Sequence, residues 1–130
     1  MDHEIHGKVL YKDECYEIQG AIFDVYKEMG CGFLEAVYQN CLEIELNNRK
    51  IPFETQKEVK LFYKNELLKI AYVPDIICFD KIIIELKAVH EITTIHQAQL
   101  LNYLNATSLK LGLLVNFGSH PKAQIMRIIK

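Results

Sequence analysis

The period of the apolar positions changes along the chain, and those changes divide it into elements. Ile18, Ala21, Ile22, Val25, Tyr26 and Met29 recur at intervals of three and four, which predicts an amphipathic helix over residues 14–29. Gly30 ends it. Leu34, Val37, Tyr38, Cys41, Leu42 and Leu46 mark a second helix, closed by Asn47, Asn48 and Pro52, with Gly30 and Gly32 at the corner between the two. After Pro52 the period falls to two. Val59, Leu61 and Tyr63 alternate with Lys60 and Phe62 as in a strand, and Lys64-Asn65 reads as a tight turn. Strands over residues 67–79 and 82–87 follow, the first interrupted at Pro74, with the turn at Asp80-Lys81. Thr93 or Thr94 is placed to cap a third helix carrying Ile95, Ala98, Leu101 and Leu104 on its apolar side. Residues 111–117 are almost wholly apolar, as in a central strand buried on both faces, and residues 124–129 suit an edge strand.

This order of two helices, three strands, a helix and two strands predicts an α/β fold, and 130 residues, half of them hydrophobic, suffice for one domain spanning 1–130. The 15 Lys and Arg against 17 Asp and Glu give a net charge of −2, so the chain as a whole does not attract a polyanion. Nucleic-acid binding would have to rest on local basic clusters and on cations that offset carboxylates. Cys15, Cys31, Cys41 and Cys78 are widely spaced and lie mostly among apolar residues, which predicts reduced packing residues. No apolar run is long enough to span a membrane, and the polar start Met1-Asp2-His3-Glu4-Ile5-His6 does not read as a signal peptide. The expected location is the cytoplasm.

One segment concentrates charge where burial is expected. Val73 to Lys87 sets Asp75, Glu85 and Lys87 into an otherwise apolar pair of strands, where unpaired charge is costly. Glu85 and Lys87 are two apart and share a strand face. A two-residue Asp80-Lys81 loop would put Ile76 opposite Glu85 and turn Asp75 away. A three-residue loop, Phe79-Asp80-Lys81, or a bulge near Pro74, would put Asp75 opposite Glu85, and this odd-length arrangement is the one expected. Two facing carboxylates suit Mg²⁺, or Mn²⁺, which also takes phosphate oxygens, and Lys87 beside them can place a water or offset developing negative charge. Spacing alone also fits an ordinary Glu85–Lys87 pair with Asp75 as a turn residue.

Pro74-Asp75, nine residues, and Glu85-Leu86-Lys87 resemble the signature of the PD-(D/E)XK nuclease superfamily. Gly32-Phe33-Leu34-Glu35-Ala36-Val37-Tyr38 is similar to the motif of the GxxExxY protein family, a branch of that superfamily, and the likeness continues through residues 96–104 and 111–117. The resemblance implies a restriction-endonuclease-like core, a central mixed β-sheet flanked by helices. It implies Asp75 and Glu85 as metal ligands, Lys87 as the catalytic lysine and Glu35 as a further acidic group at the metal, with the Leu86 carbonyl as another ligand. Gln99 and Tyr103, four apart and so on one helix face, resemble the pair lining the site in RecB-like members. Tyr38 is expected to pack and shape the pocket, and His96 to serve the helix start. Lys57, Lys60, Lys110, Lys122, Arg127 and Lys130 are candidate phosphate contacts, with a solvated face as the simpler reading. The expected function is Mg²⁺- or Mn²⁺-dependent hydrolysis of phosphodiester bonds, with DNA as partner. The alternatives are a noncatalytic nucleic-acid or protein-binding module, working as a homodimer or in a larger complex, and an enzyme acting on a smaller phosphate-containing substrate.

Overall fold

A computed structural model describes residues 4, 5 and 8–130, with side chains from Val9 onward. The polar N-terminal hexapeptide therefore falls largely outside the described residues. The order is β1 (Glu4–Ile5), β2 (Lys8–Val9), α1 (Lys12–Met29), α2 (Glu35–Asn48), β3 (Phe53–Glu54), β4 (Phe62–Tyr63), β5 (Glu66–Leu67), β6 (Ile76–Cys78), β7 (Ile82–Lys87), α3 (Thr94–Asn105), β8 (Leu111–Asn116) and β9 (Gln124–Ile129).

The isoleucine run of β7 and the apolar run of β8 make them the centre of a five-stranded sheet, ordered β3-β6-β7-β8-β9. They pair in parallel, joined by α3, while the other neighbours in this sheet are antiparallel. The sheet is thus mixed. Strand alternation sends Ile76, Ile82, Ile84 and Leu86 toward α1 and α2, where Ile18, Ile22, Leu42 and Leu46 are fully buried against them. On the other face Ile83 and Leu114 meet Leu100 and Leu104 of α3, together with Leu61 and Tyr72. Each such aliphatic side chain contributes about 1.5–3 kcal/mol on full burial. Gly112 lets α3 approach β8 closely, since a Cβ there would stand 2.9 Å from a Leu100 methyl.

Three sequence expectations are corrected. The strand expected over residues 67–79 is divided: β5 pairs only with β4 in a separate hairpin, and β6 begins after a loop whose one ladder contact is the Val59–Tyr72 bridge. Exposed apolar residues in the hairpin mimic a buried strand. Residues 53 and 54, not expected as strand, form the sheet edge on β6. On α3, Ile95 is 76% exposed while Leu100 is buried, because the packed face runs through Leu100 and Leu104. The cysteines are free thiols; Cys15 and Cys78 are buried, Cys41 is half-buried and Cys31 is exposed. Among the described residues no helix is long and apolar enough to cross a membrane.

Candidate metal centre

The β6–β7 hairpin sets the geometry of the site. Cys78 pairs with Ile82 across a three-residue loop in which Phe79 and Asp80 take positive φ and the Lys81 N–H donates to the Cys78 carbonyl at 3.1 Å. With Ile76 opposite Ile84, the next step of the register brings Asp75 opposite Glu85. The Asp75 N–H donates to Glu85 Oε1 at 3.3 Å, and the Leu86 N–H donates to Asp75 Oδ2 at 2.8 Å. The observed contact of Leu86 is thus through its N–H. Each carboxylate spends one oxygen on protein donors, and among the described residues Asp75 Oδ1 and Glu85 Oε2 accept no hydrogen bond.

Tyr72, which lies within the strand expected over residues 67–79 and is not among the expected site residues, completes this arrangement. Its hydroxyl donates to Glu85 Oε1 at 2.5 Å, and its ring stacks on Tyr103 with centroids 3.8 Å apart and planes 6° from parallel. Its backbone is held by the antiparallel bridge to Val59, a tertiary contact. Tyr72, Glu85, Lys87, His96, Gln99 and Tyr103 line one cavity of about 270 Å³, with Ala71, Val73, Leu100 and Leu114 completing its wall. His96 also closes the start of α3, where its Nδ1 accepts from the Thr93 N–H at 3.1 Å in a capping box.

Burial dominates the electrostatics. It pushes the Glu85 carboxyl up to about 7, aided by the charge of Asp75 and opposed by hydrogen bonds from Tyr72 and the Asp75 N–H and by Lys87. Asp75 is also raised by burial, against the Leu86 N–H and Lys87. The Tyr72 hydroxyl is raised strongly by burial and by Glu85, so it is held as a donor. Lys87 makes no ion pair among the described residues.

Glu35 opens α2 and is exposed. Partial desolvation of its carboxyl, on a residue otherwise open to solvent, and the charge of Asp75 raise it, while Lys87 and His96 lower it, so it lies in the field of the same site. Among the described residues no three His, Cys, Asp or Glu side chains are grouped to hold one metal ion. Tyr38 is not in the cavity wall. It is fully buried, stacked on Phe117 at 4.5 Å, and its hydroxyl donates to the Gly30 carbonyl at 2.5 Å and accepts from the Phe33 N–H at 3.2 Å. It braces the corner where Gly32, at φ 113°, lets the chain turn into α2 and present Glu35.

The basic candidates do not converge on this cavity. Lys57 is paired with Asp80 and Glu54, Arg127 bonds the Leu10 carbonyl and Cys15 Sγ, and Lys130 bonds the Thr107 carbonyl. None of Lys60, Lys110 and Lys122 is in the cavity wall.

A sequence model described as the PD-(D/E)XK nuclease superfamily matches residues 12–128, and so takes in every element of this site. The chain belongs to the PD-(D/E)XK nuclease superfamily. Members of this superfamily generally use divalent metal ions. No curated protein matches the chain. Among solved structures, the crystal structure of SSO0001 is similar in fold, with a TM-score of 0.58 and 24% identity over 74% of this chain and 50% of that one. The chain spans half the length of that solved structure.

The donor set fits a divalent cation of the Mg²⁺ class. Two partly buried carboxylates face each other across adjacent strands, each with an uncommitted oxygen, and no protein cation pairs with either among the described residues. One or two carboxylates are what Mg²⁺ commonly takes from a protein, the remaining positions going to water and phosphate oxygens.

Proposed function

We propose that this superfamily member, in its GxxExxY branch, is a Mg²⁺- or Mn²⁺-dependent nuclease that hydrolyses phosphodiester bonds in DNA, acting as one cytoplasmic domain. The observation that carries the reading is the register of the β6–β7 hairpin, which brings Asp75 level with Glu85 while Lys87 follows on the same strand face.

Asp75 and Glu85 would hold the cation through Oδ1 and Oε2, with the Leu86 carbonyl as a further ligand. When bound, such a cation neutralises phosphate charge and makes a water more acidic. Lys87, as a point-charge donor at the cavity wall, positions the attacking water or offsets the charge that grows on the phosphate oxygens. Gln99 and Tyr103, one helical turn apart, orient the substrate in the cavity. Glu35, in the field of Asp75 and Lys87, adds negative charge that draws solvated cations toward the pair. Tyr38 shapes this arrangement from behind, through the corner that starts α2.

Cleavage of single-stranded DNA, duplex DNA and RNA with Mg²⁺ or Mn²⁺, compared among wild type, Lys87→Ala and Glu85→Gln, tests the reading. Metal-dependent cleavage lost in both variants is expected. A folded, metal-loaded wild type that cuts none of the three substrates sinks the nuclease reading in favour of a binding module on the same fold.

A further inference from the structure

The β4–β5 hairpin stands apart from the five-stranded sheet and shows solvent a surface that a chain segment of its composition would normally bury. All residues over 62–70 are exposed, among them Phe62, Tyr63, Leu67, Leu68 and Ile70, with Tyr63 at 61% and Ile70 at 75%. The register sets Phe62 with Leu67 on one face of the hairpin and Tyr63 with Glu66 on the other, so each face offers a ring to a partner, and clustered apolar surface marks an interaction site more often than scattered single residues do. The hairpin is not loosely attached. The Leu68 N–H donates to the carbonyl of buried Leu61 at 2.9 Å, and Val59 and Tyr72 exchange two hydrogen bonds at its base. Its turn places Lys64 and Asn65 at positive φ, which fixes the strands and sets Lys64 Nζ 5.4 Å from the centre of the Tyr63 ring.

Charge selects among the occupants this surface could take. Over residues 59–70 there are three lysines, Lys60, Lys64 and Lys69, against the single acid Glu66, within a chain whose net charge is −2. None of the three is in an ion pair among the described residues. A second copy docking by the same hairpin would set these lysines against their own images, whereas a polyanion would pair with them. Aromatic rings interleaved with unpaired lysines form the combination that holds unpaired nucleotides, the rings stacking on base faces and the ammonium groups following the phosphates. A duplex keeps those base faces stacked on each other. The chain leaving the hairpin forms the cavity wall at Ala71, Tyr72 and Val73 and reaches Asp75 five residues after Ile70, a span of at most about 17 Å.

We propose that the β4–β5 hairpin is a docking arm for single-stranded nucleic acid, stacking bases on Phe62 and Tyr63 and holding phosphates with Lys60, Lys64 and Lys69. This inference rests on the nuclease reading of the adjoining site and names its substrate class.

The test is fluorescence anisotropy of a labelled oligothymidylate and of a duplex of equal length, in EDTA so that no turnover occurs. Wild type is compared with Phe62→Ser/Tyr63→Ser and with Lys60→Ser/Lys64→Ser/Lys69→Ser. Expected are tighter binding of the single strand than of the duplex and about tenfold or greater weakening in the aromatic variant. The salt slope should become shallower by about two in the lysine variant. The single change Tyr63→Ser, with its circular dichroism compared to wild type, serves where the double variant does not fold. Unchanged single-strand binding in folded variants, or equal affinity for the duplex, overturns the inference. So does a wild-type dimer in sedimentation that the aromatic variant abolishes. A wild type that binds single strands through the hairpin and cuts nothing sinks the nuclease reading alone, and cleavage unimpaired in the hairpin variants sinks the docking arm alone.

Discussion

The Tyr72 hydroxyl donates to Glu85 Oε1 at 2.5 Å while the Tyr72 ring lies flat on Tyr103. One side chain thereby links the carboxylate on β7 to the helix that walls the cavity, and it holds Glu85 with Oε2 left for a ligand. Partners of this kind behind a metal ligand commonly affect metal affinity by tenfold or more. Tyr72→Phe keeps the ring stack and removes the donor. We expect the fold to be retained and Mn²⁺ binding, followed by calorimetry, to weaken about tenfold. Affinity within twofold of wild type would show that the hydroxyl does not orient Glu85.

The raised carboxyls set the pH dependence of the metal-free protein. Glu85 moves from an ordinary value of 4.5 to about 7 in the fold, so the folded state holds its proton more tightly than the unfolded chain does. Stability from this group is therefore complete below pH 4.5, falls as pH rises and is fully lost above about 7, by on the order of 3 kcal/mol. Asp75, also raised, acts with the same sign. Glu14, held low by Lys81, acts with the opposite sign at lower pH. Thermal melts in EDTA should show the fall across this window, Glu85→Gln should flatten it, and Mg²⁺ at pH 8 should restore the wild type. A wild-type melting temperature that does not fall across the window, or a fall that Glu85→Gln leaves unchanged, rules the mechanism out.

Much of this architecture is legible in the sequence because several signals agree on each element. For α1 and α2 the helical period, Gly30 and the Asn47-Asn48 ending coincide, and for β7 and β8 unbroken apolar runs mark strands covered on both faces. The three-residue loop is legible only through chemistry, since the requirement that Asp75 face Glu85 selects it over the two-residue alternative. Residues 52–75 mislead because exposed Phe62, Leu67 and Ile70 produce a strand pattern with no sheet to receive it. Tyr72 is hidden for another reason. Its role depends on contacts with Glu85, thirteen residues away, and with Tyr103 on a different element, and no local periodicity records either.

Asn116 ties the end of the parallel pair to the chain leaving β7. It is fully buried at the β8 terminus, level with Lys87. Its Oδ1 accepts from the Val89 and Gly118 N–H groups, each at 3.0 Å, and its Nδ2 donates to the Val89 carbonyl at 2.9 Å. Asn116→Ala leaves three part-buried backbone groups without these partners. We expect a loss of about 3 kcal/mol in urea unfolding. A loss below about 1 kcal/mol would mean that the segment re-pairs elsewhere.

Tyr38 separates packing from positioning within one side chain. Its ring stacks on Phe117 in the core, and its hydroxyl holds the Gly30 carbonyl and the Phe33 N–H at the corner before Glu35. Tyr38→Phe keeps the stack and frees the corner, so a cost of about 1–2 kcal/mol in urea unfolding is expected. Neither the Asp75 carboxylate, just before β6, nor that of Glu85 on β7 touches this hydroxyl, so Mn²⁺ affinity should stay within twofold of wild type. If Glu35 acts from the place this corner gives it, cleavage in Tyr38→Phe should fall by more than the change in metal occupancy explains. Glu35→Gln should fall likewise, and Tyr38→Phe/Glu35→Gln should fall no further than Glu35→Gln alone. Additive losses in the double variant would mean that Tyr38 acts on the site by a route other than Glu35.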